Sequence, residues 1–131
     1  MSEVDVVKEW LQIAFDDLDT AQYLYDNKYP KPLEIICYHC QQSVEKTLKA
    51  FLCAMGIEVP KTHDTGLLCQ RCTELESAFG QYYDDCDQLL IYATQTRYPS
   101  RMEILDSDAK RALRQAVMVY EFVVKKVEHK I

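Results

Sequence analysis

The chain has 131 residues, 48% hydrophobic and 27% charged, with a formal net charge of -6, enough apolar content for one core and too much for a disordered chain. Only 3 Gly and 4 Pro are present, too few turn residues for a sandwich or barrel of many short strands. The acidic balance argues against broad, non-specific binding to phosphate backbones, although it leaves room for a local basic patch.

The first residues, MSEVDVVKEWLQ, contain neither a basic n-region nor an apolar h-region, and no run of 18 apolar residues follows, so a signal peptide and a membrane span are not expected. The expectation is a cytoplasmic protein of one domain, residues 1–131. Its six cysteines are then expected to be reduced or metal-bound rather than disulfide-paired.

Helical spacing runs through the chain. Val7, Leu11, Ala14, Leu18, Ala21 and Tyr25 step by threes and fours along a first helix, with Trp10, Ile13 and Leu24 widening its apolar face. The segment NKYPKP, Asn27 to Pro32, interrupts the pattern, and Pro32 suits the first position of the next helix. That second helix runs to about Met55 on the stripe Cys37, Gln41, Val44, Leu48, Phe51, Met55. A neighbouring stripe of mostly small residues, Ile36, Cys40, Ser43, Thr47, Ala50 and Ala54, allows another helix to come close. Glu45 and Lys49 read as a surface ion pair one turn apart, and Gly56 fits the left-handed position past the helix end.

A third helix is expected to start with Thr62 as its cap and Asp64 in its first turn. Its buried side is Leu68, Cys72, Leu75 and Phe79, and Gly80 ends it. A fourth carries Tyr82 or Tyr83, Cys86, Leu89, Leu90 and Ala93, and stops at the turn TRYPSR, Thr96 to Arg101, because Pro99 pushes Tyr98 out of the helical region. A fifth, capped by Ser107 or Asp108, shows Ala109, Leu113, Ala116, Tyr120, Val123 and Val127 on one face. Short loops between amphipathic helices predict an all-α, up-and-down antiparallel bundle of four to five helices.

Cys37-Tyr-His-Cys40 and Cys69-Gln-Arg-Cys72 are two CxxC pairs. A four-thiolate zinc site with His39 nearby and a redox pair are alternatives, but the gap between the pairs is long and all four cysteines fall on helical core positions, so packing is the favoured reading. Five basic residues (Arg97, Arg101, Lys110, Arg111, Arg114) and three acids (Glu103, Asp106, Asp108) lie between Arg97 and Arg114. That makes the segment a local cationic stretch on an acidic chain. Arg97 and Arg101 around a stiff Tyr-Pro turn beside a helix N-terminus suit a phosphate, and Tyr98 can stack on a base. The competing reading pairs these arginines with buried acids such as Asp17 or Glu45. Gln41, on a core-facing step, is expected to hydrogen-bond across the bundle or a dimer seam. His63 is expected to make a capping or interhelical hydrogen bond, and Lys46 to sit solvated on the exposed side within reach of a bound anion. No GxSxG, P-loop, HExxH or dinucleotide fingerprint occurs.

Four pieces together resemble the HEPN domain (higher eukaryotes and prokaryotes nucleotide-binding): AFDDLDTAQYL from Ala14 to Leu24, QSVEKTLKAFL from Gln42 to Leu52, Thr62-His63-Asp64, and Arg97-Tyr98-Pro99. The resemblance implies a helical bundle that usually forms a homodimer and is often encoded with a minimal nucleotidyltransferase in a toxin–antitoxin-like pair. Some members are metal-independent ribonucleases with an arginine followed, after four to six residues, by a histidine. Here the permitted positions after Arg97 are Met102, Glu103 and Ile104, and no other arginine has a histidine at that distance. The reading is therefore a non-catalytic nucleotide- or partner-binding module, with Arg97, Tyr98, Arg101, Lys46 and His63 as candidate nucleotide or anion contacts, a nucleotidyltransferase as candidate partner, and no cofactor, metal or catalytic residue assigned. The alternatives are a ribonuclease toxin with a non-standard site at His63 or Glu45, and a zinc-stabilised structural protein.

Overall fold

Five α-helices and two short 3-10 segments build the structure, a computed structural model that describes residues 2–94 and 103–129. No strand occurs among the described residues. Helix α1 spans Glu3–Asn27 and opens with a reciprocal cap: Ser2 Oγ accepts from the Asp5 N–H, and Asp5 accepts from the Ser2 N–H. Its expected face is the buried one at Val7, Ala14, Leu18 and Ala21, but Ile13 is 46% exposed and does not widen it.

Helix α2, Leu33–Ala54, is the centre of the bundle and packs against α1, α3 and the last helix. Both of its predicted stripes are buried up to the last turn: Cys37, Gln41, Val44, Leu48 and Phe51 on one, Ile36, Cys40, Ser43, Thr47 and Ala50 on the other, with Met55 and Ala54 at their ends only partly buried. The small residues let α1 lie close and antiparallel, and Ser43 Oγ donates to the Ala14 carbonyl at 2.8 Å. Pro32 sits just outside the helix rather than at its first position. The C-terminus closes as expected, with Gly56 at φ +75°. The Ile57 N–H reaches the Leu52 carbonyl and the Gly56 N–H the Cys53 carbonyl, the two bonds of a Schellman turn.

One group in this interface is unsatisfied. Thr47 Oγ1 is buried and has no partner among the described residues. Removing a buried, unpaired hydroxyl while keeping its volume relieves a desolvation penalty. Thr47→Val is expected to stabilise the fold by about 1 kcal/mol, read as a higher urea midpoint at unchanged slope; a loss of stability would mean that the hydroxyl is bonded after all.

Helix α3, Thr65–Leu75, is shorter than its periodicity suggests. Its cap is Asp64, whose carboxylate accepts from the Leu67 N–H at 3.0 Å, while Thr62 Oγ1 accepts from the Asp64 N–H at 3.1 Å and so braces the cap without being it. The chain turns extended at Glu76, Leu75 is exposed, and Phe79 and Gly80 lie in the 3-10 segment Ser77–Tyr82. That segment aims Phe79 into the core, 4.5 Å from the Phe51 ring and 5.0 Å from Phe122. Helix α4, Tyr83–Leu89, buries Cys86 and Leu89 and runs into a second 3-10 turn, Leu90–Tyr92. Helix α5, Asp106–Glu128, buries its predicted face, with Tyr120 at the margin. Neither Ser107 nor Asp108 is its cap residue: Leu105 is, and Asp108, one turn in, accepts from the Leu105 N–H at 2.8 Å. Tyr25–Asp106 at 3.0 Å and the Phe15–Tyr120 ring contact run α5 antiparallel to α1.

The four CxxC cysteines and Cys86 are buried among core side chains. Cys69 donates to the Phe79 carbonyl and Cys72 to the Leu48 carbonyl. Burial pushes the Cys37 thiol up to about 12 and raises Cys40 and Cys72 as well, so these sulfurs stay protonated and act as small apolar groups. Cys69 is the exception, held down by a hydrogen bond from Cys86. Among the described residues no three His, Cys, Asp or Glu side chains converge as a metal centre would require, and no helix there is long and apolar enough to cross a membrane.

Candidate functional site

Polar residues at positions 42, 45, 46 and 49 recur along α2 at the same helical spacing as the core stripes, and they build one cluster around Glu45. This carboxylate is 1% exposed, so each of its oxygens needs a donor. Oε1 accepts from His63 Nδ1 at 2.9 Å, and Oε2 from Lys49 Nζ at 3.0 Å, with Lys46 Nζ at 3.6 Å. The pair Glu45–Lys49 is thus inside the protein rather than on its surface, with Lys49 also buried and its ammonium 5.8 Å from the centroid of the only tryptophan, Trp10. Burial works to raise the Glu45 carboxyl, but the His63 and Lys49 hydrogen bonds and the two lysine charges outweigh it and hold the group below its usual range.

The surrounding amides extend the cluster. Gln41 donates to the His63 carbonyl at 2.8 Å and accepts from Gln42 Nε2 at 2.8 Å; Gln42 Oε1 in turn accepts from Lys46 Nζ at 2.7 Å. Gln41 thereby makes the cross-bundle bond expected of it. Together these bonds pin the connector after α2 back onto the middle of that helix, which sets the start of α3. Lys46 is less free than the sequence suggests, since it is mostly covered and leans on both Gln42 and Glu45.

His63 faces both ways. A carboxylate only accepts, so Nδ1 carries the proton in the Glu45 contact. The ring itself is 74% exposed, leaving Nε2 toward solvent. Two ammoniums face one carboxylate here, so the cluster keeps a surplus positive charge on an otherwise acidic chain. A groove of about 370 Å³, within the range of small-ligand sites, begins next to His63 at Thr62 and is lined by Leu52, Ile57, Pro60, Leu67 and Arg71 among others. Arg71 points to solvent as expected.

Asp17 and Glu45, the two acids offered as partners for the arginines, are occupied by other residues. Asp17 Oδ1 pairs with His39 Nδ1 at 2.9 Å, and Glu45 with His63 and the lysines. Of the candidate contacts, Lys46 and His63 meet at the same carboxylate. Arg97, Tyr98 and Arg101 lie outside the described residues. Glu45 was considered only as a general base in the ribonuclease alternative or as a partner for the arginines, and Lys49 and Gln42 were not among the candidates; the signal that could have found them is the polar stripe itself, four polar positions at core-like spacing.

A family model described as HEPN domain matches residues 7–127. The chain belongs to the HEPN domain family. Its fold is similar to that of a solved archaeal HEPN homologue, ST0689, with a TM-score of 0.71, 24% identity, and coverage of 92% of this chain and 97% of that one. At that identity the likeness speaks for the fold alone. No curated protein matches the chain. As a HEPN domain, the chain places its Glu45 cluster where Gln42–Leu52 and Thr62–Asp64, two of the stretches that carried the resemblance, come together.

Proposed function

We propose that this HEPN domain is a non-catalytic nucleotide- or partner-binding module whose phosphate-facing groups are Lys46 and His63. The observation that carries the reading is the convergence of two ammoniums and an outward-facing imidazole on one buried carboxylate. Ammonium and imidazole donors suit phosphate oxygens, and the groove that starts at Thr62, lined by Lys61 and Arg71 as well as Glu58 and Glu74, has the volume for a base and sugar. The Arg97-Tyr98-Pro99 turn and Arg101 add guanidinium forks and a stacking ring on chemical grounds. A nucleotidyltransferase partner, a homodimer, a toxin–antitoxin-like setting in the cytoplasm and a single domain over the whole chain complete the proposal. What supports them is the family resemblance, and the missing histidine after Arg97 supports the non-catalytic reading.

Thermal melting with added nucleoside di- and triphosphates tests the reading. At a hundredfold excess over Kd a ligand stabilises by about 2.7 kcal/mol, so a nucleotide that binds raises the melting temperature by several degrees. Lys46→Ala and Arg97→Ala should each shrink that shift. Equal melting with and without every nucleotide, in wild type and variants alike, removes the nucleotide half of the proposal. Co-purification of a nucleotidyltransferase with the chain from its native host tests the partner half.

One observation favours a second reading. An imidazole oriented by a carboxylate is what a general base requires, so a ribonuclease centred on His63 and Glu45 is the alternative. It predicts RNA cleavage by purified protein that disappears in His63→Ala; cleavage that survives both His63→Ala and Arg97→Ala marks a contaminant.

A further inference from the structure

The three histidines of this chain differ in one respect. His39 makes a carboxylate contact but is only 27% exposed. His129, at the end of α5, is exposed and makes no carboxylate contact among the described residues. His63 alone combines a fixed Nδ1, 2.9 Å from a buried carboxylate, with a ring open to solvent and an ammonium, that of Lys46, at the same carboxylate. A tie that only fastened the connector to α2 would need the Nδ1 contact and nothing else. It would not need a second lysine, and it would not need the far side of the ring uncovered.

We infer that His63 is a phosphoryl-acceptor site, modified at Nε2 by a small, reactive phosphoryl donor of the acyl-phosphate or phosphoramidate class. With the proton held on Nδ1 by Glu45, the Nε2 lone pair points outward as the nucleophile. It attacks phosphorus, the N–P bond forms as the bond from phosphorus to the leaving group breaks, and the leaving group departs with that electron pair. The ring keeps its Nδ1 proton and becomes a cation, which the Glu45 carboxylate neutralises at 2.9 Å. Lys46, whose ammonium lies 3.6 Å from the other oxygen of the same carboxylate, is assigned to meet the transferred oxygens. Glu45 is a positioning residue, acting through the imidazole. The step needs no bound nucleotide and goes beyond the binding function proposed above.

The test uses the full chain and potassium phosphoramidate near neutral pH, with mass spectrometry of peptides handled in base to preserve phosphohistidine. His129 in the same molecule is the internal reference. His63 is expected to label roughly tenfold faster than His129, the scale of effect seen when a carboxylate orients a reacting or ligating imidazole. Lys46→Ala should lower the His63 rate and leave His129 unchanged, while Lys46→Arg retains it. Nitrogen NMR of the imidazole should show His63 as the Nδ1–H tautomer in wild type. Glu45→Gln should slow labelling at His63 only; if that variant does not fold, the wild-type and Lys46 comparisons decide alone. Equal labelling of His63 and His129 in the folded protein, an Nε2–H tautomer, or indifference to Lys46→Ala overturns the inference.

Discussion

Replacing Glu45 by alanine is expected to lower the stability of the fold by about 3 kcal/mol, near the lower end of what breaking a buried ion pair costs. The carboxylate is almost fully buried and holds His63 at 2.9 Å and Lys49 at 3.0 Å. Its removal leaves the Lys49 ammonium buried without a partner and frees the connector that leads into α3. Lys46 and the exposed His63 ring bring water to one edge of the cluster, which is why the figure sits at the low end. Urea unfolding of wild type and Glu45→Ala at pH 7 measures it directly.

The same comparison has a pH signature. The Glu45 carboxyl is held below its ordinary value of 4.5 in the folded chain. A group lowered by folding contributes its full stabilisation above the unfolded pKa and loses it as pH falls through the folded one. The gap between wild type and Glu45→Ala should therefore be flat from pH 7 down to about 4.5 and close below it. A gap that persists undiminished into strong acid would mean that the carboxylate charge contributes nothing.

Phe79→Ala is the other large effect, expected at about 3–5 kcal/mol as a buried aromatic truncated in a packed core. Phe79 is fully buried between Phe51 and Phe122, and Tyr82 lies against Phe122 at 4.9 Å. These rings join α2, α5 and the short 3-10 segment, so the cavity left behind has walls from three elements and limited means of collapsing. Thermal unfolding should drop accordingly, whereas truncating the exposed Leu75 just upstream should change little. Equal effects at the two positions would place Phe79 outside the core.

These two sites also show what the sequence can and cannot convey. The long helices were legible because each has one stripe repeating over five or six turns, and α1, α2 and α5 bury those stripes. The break between α3 and Phe79 was not. Leu68, Cys72, Leu75 and Phe79 step like one helix, yet the chain turns extended at Glu76 because Phe79 must reach rings on two other helices, a tertiary demand invisible to local spacing. For Glu45 the sequence offered two readings, a buried acid for the arginines and a surface partner for Lys49, and could not decide between them for a related reason. A glutamate four residues before a lysine reads as a surface pair unless the partner at position 63 is known, and that partner is 18 residues away in the chain. Gln41 was legible, since an amide on a core-facing step requires a cross-bundle partner. Thr62 and Asp64 are both good caps, and which of them caps α3 is decided by where the connector is pinned.

The measurement that bears most directly on the Glu45 cluster as a phosphate site is an NMR titration of the folded chain with ADP, following lysine side-chain nitrogens and histidine ring nitrogens. Saturable shifts at Lys46 Nζ and His63 Nε2, with Lys125 and Lys126 on α5 unmoved, are the predicted result. No response at Lys46 and His63, or a weak unsaturable drift shared by all lysines, would contradict it.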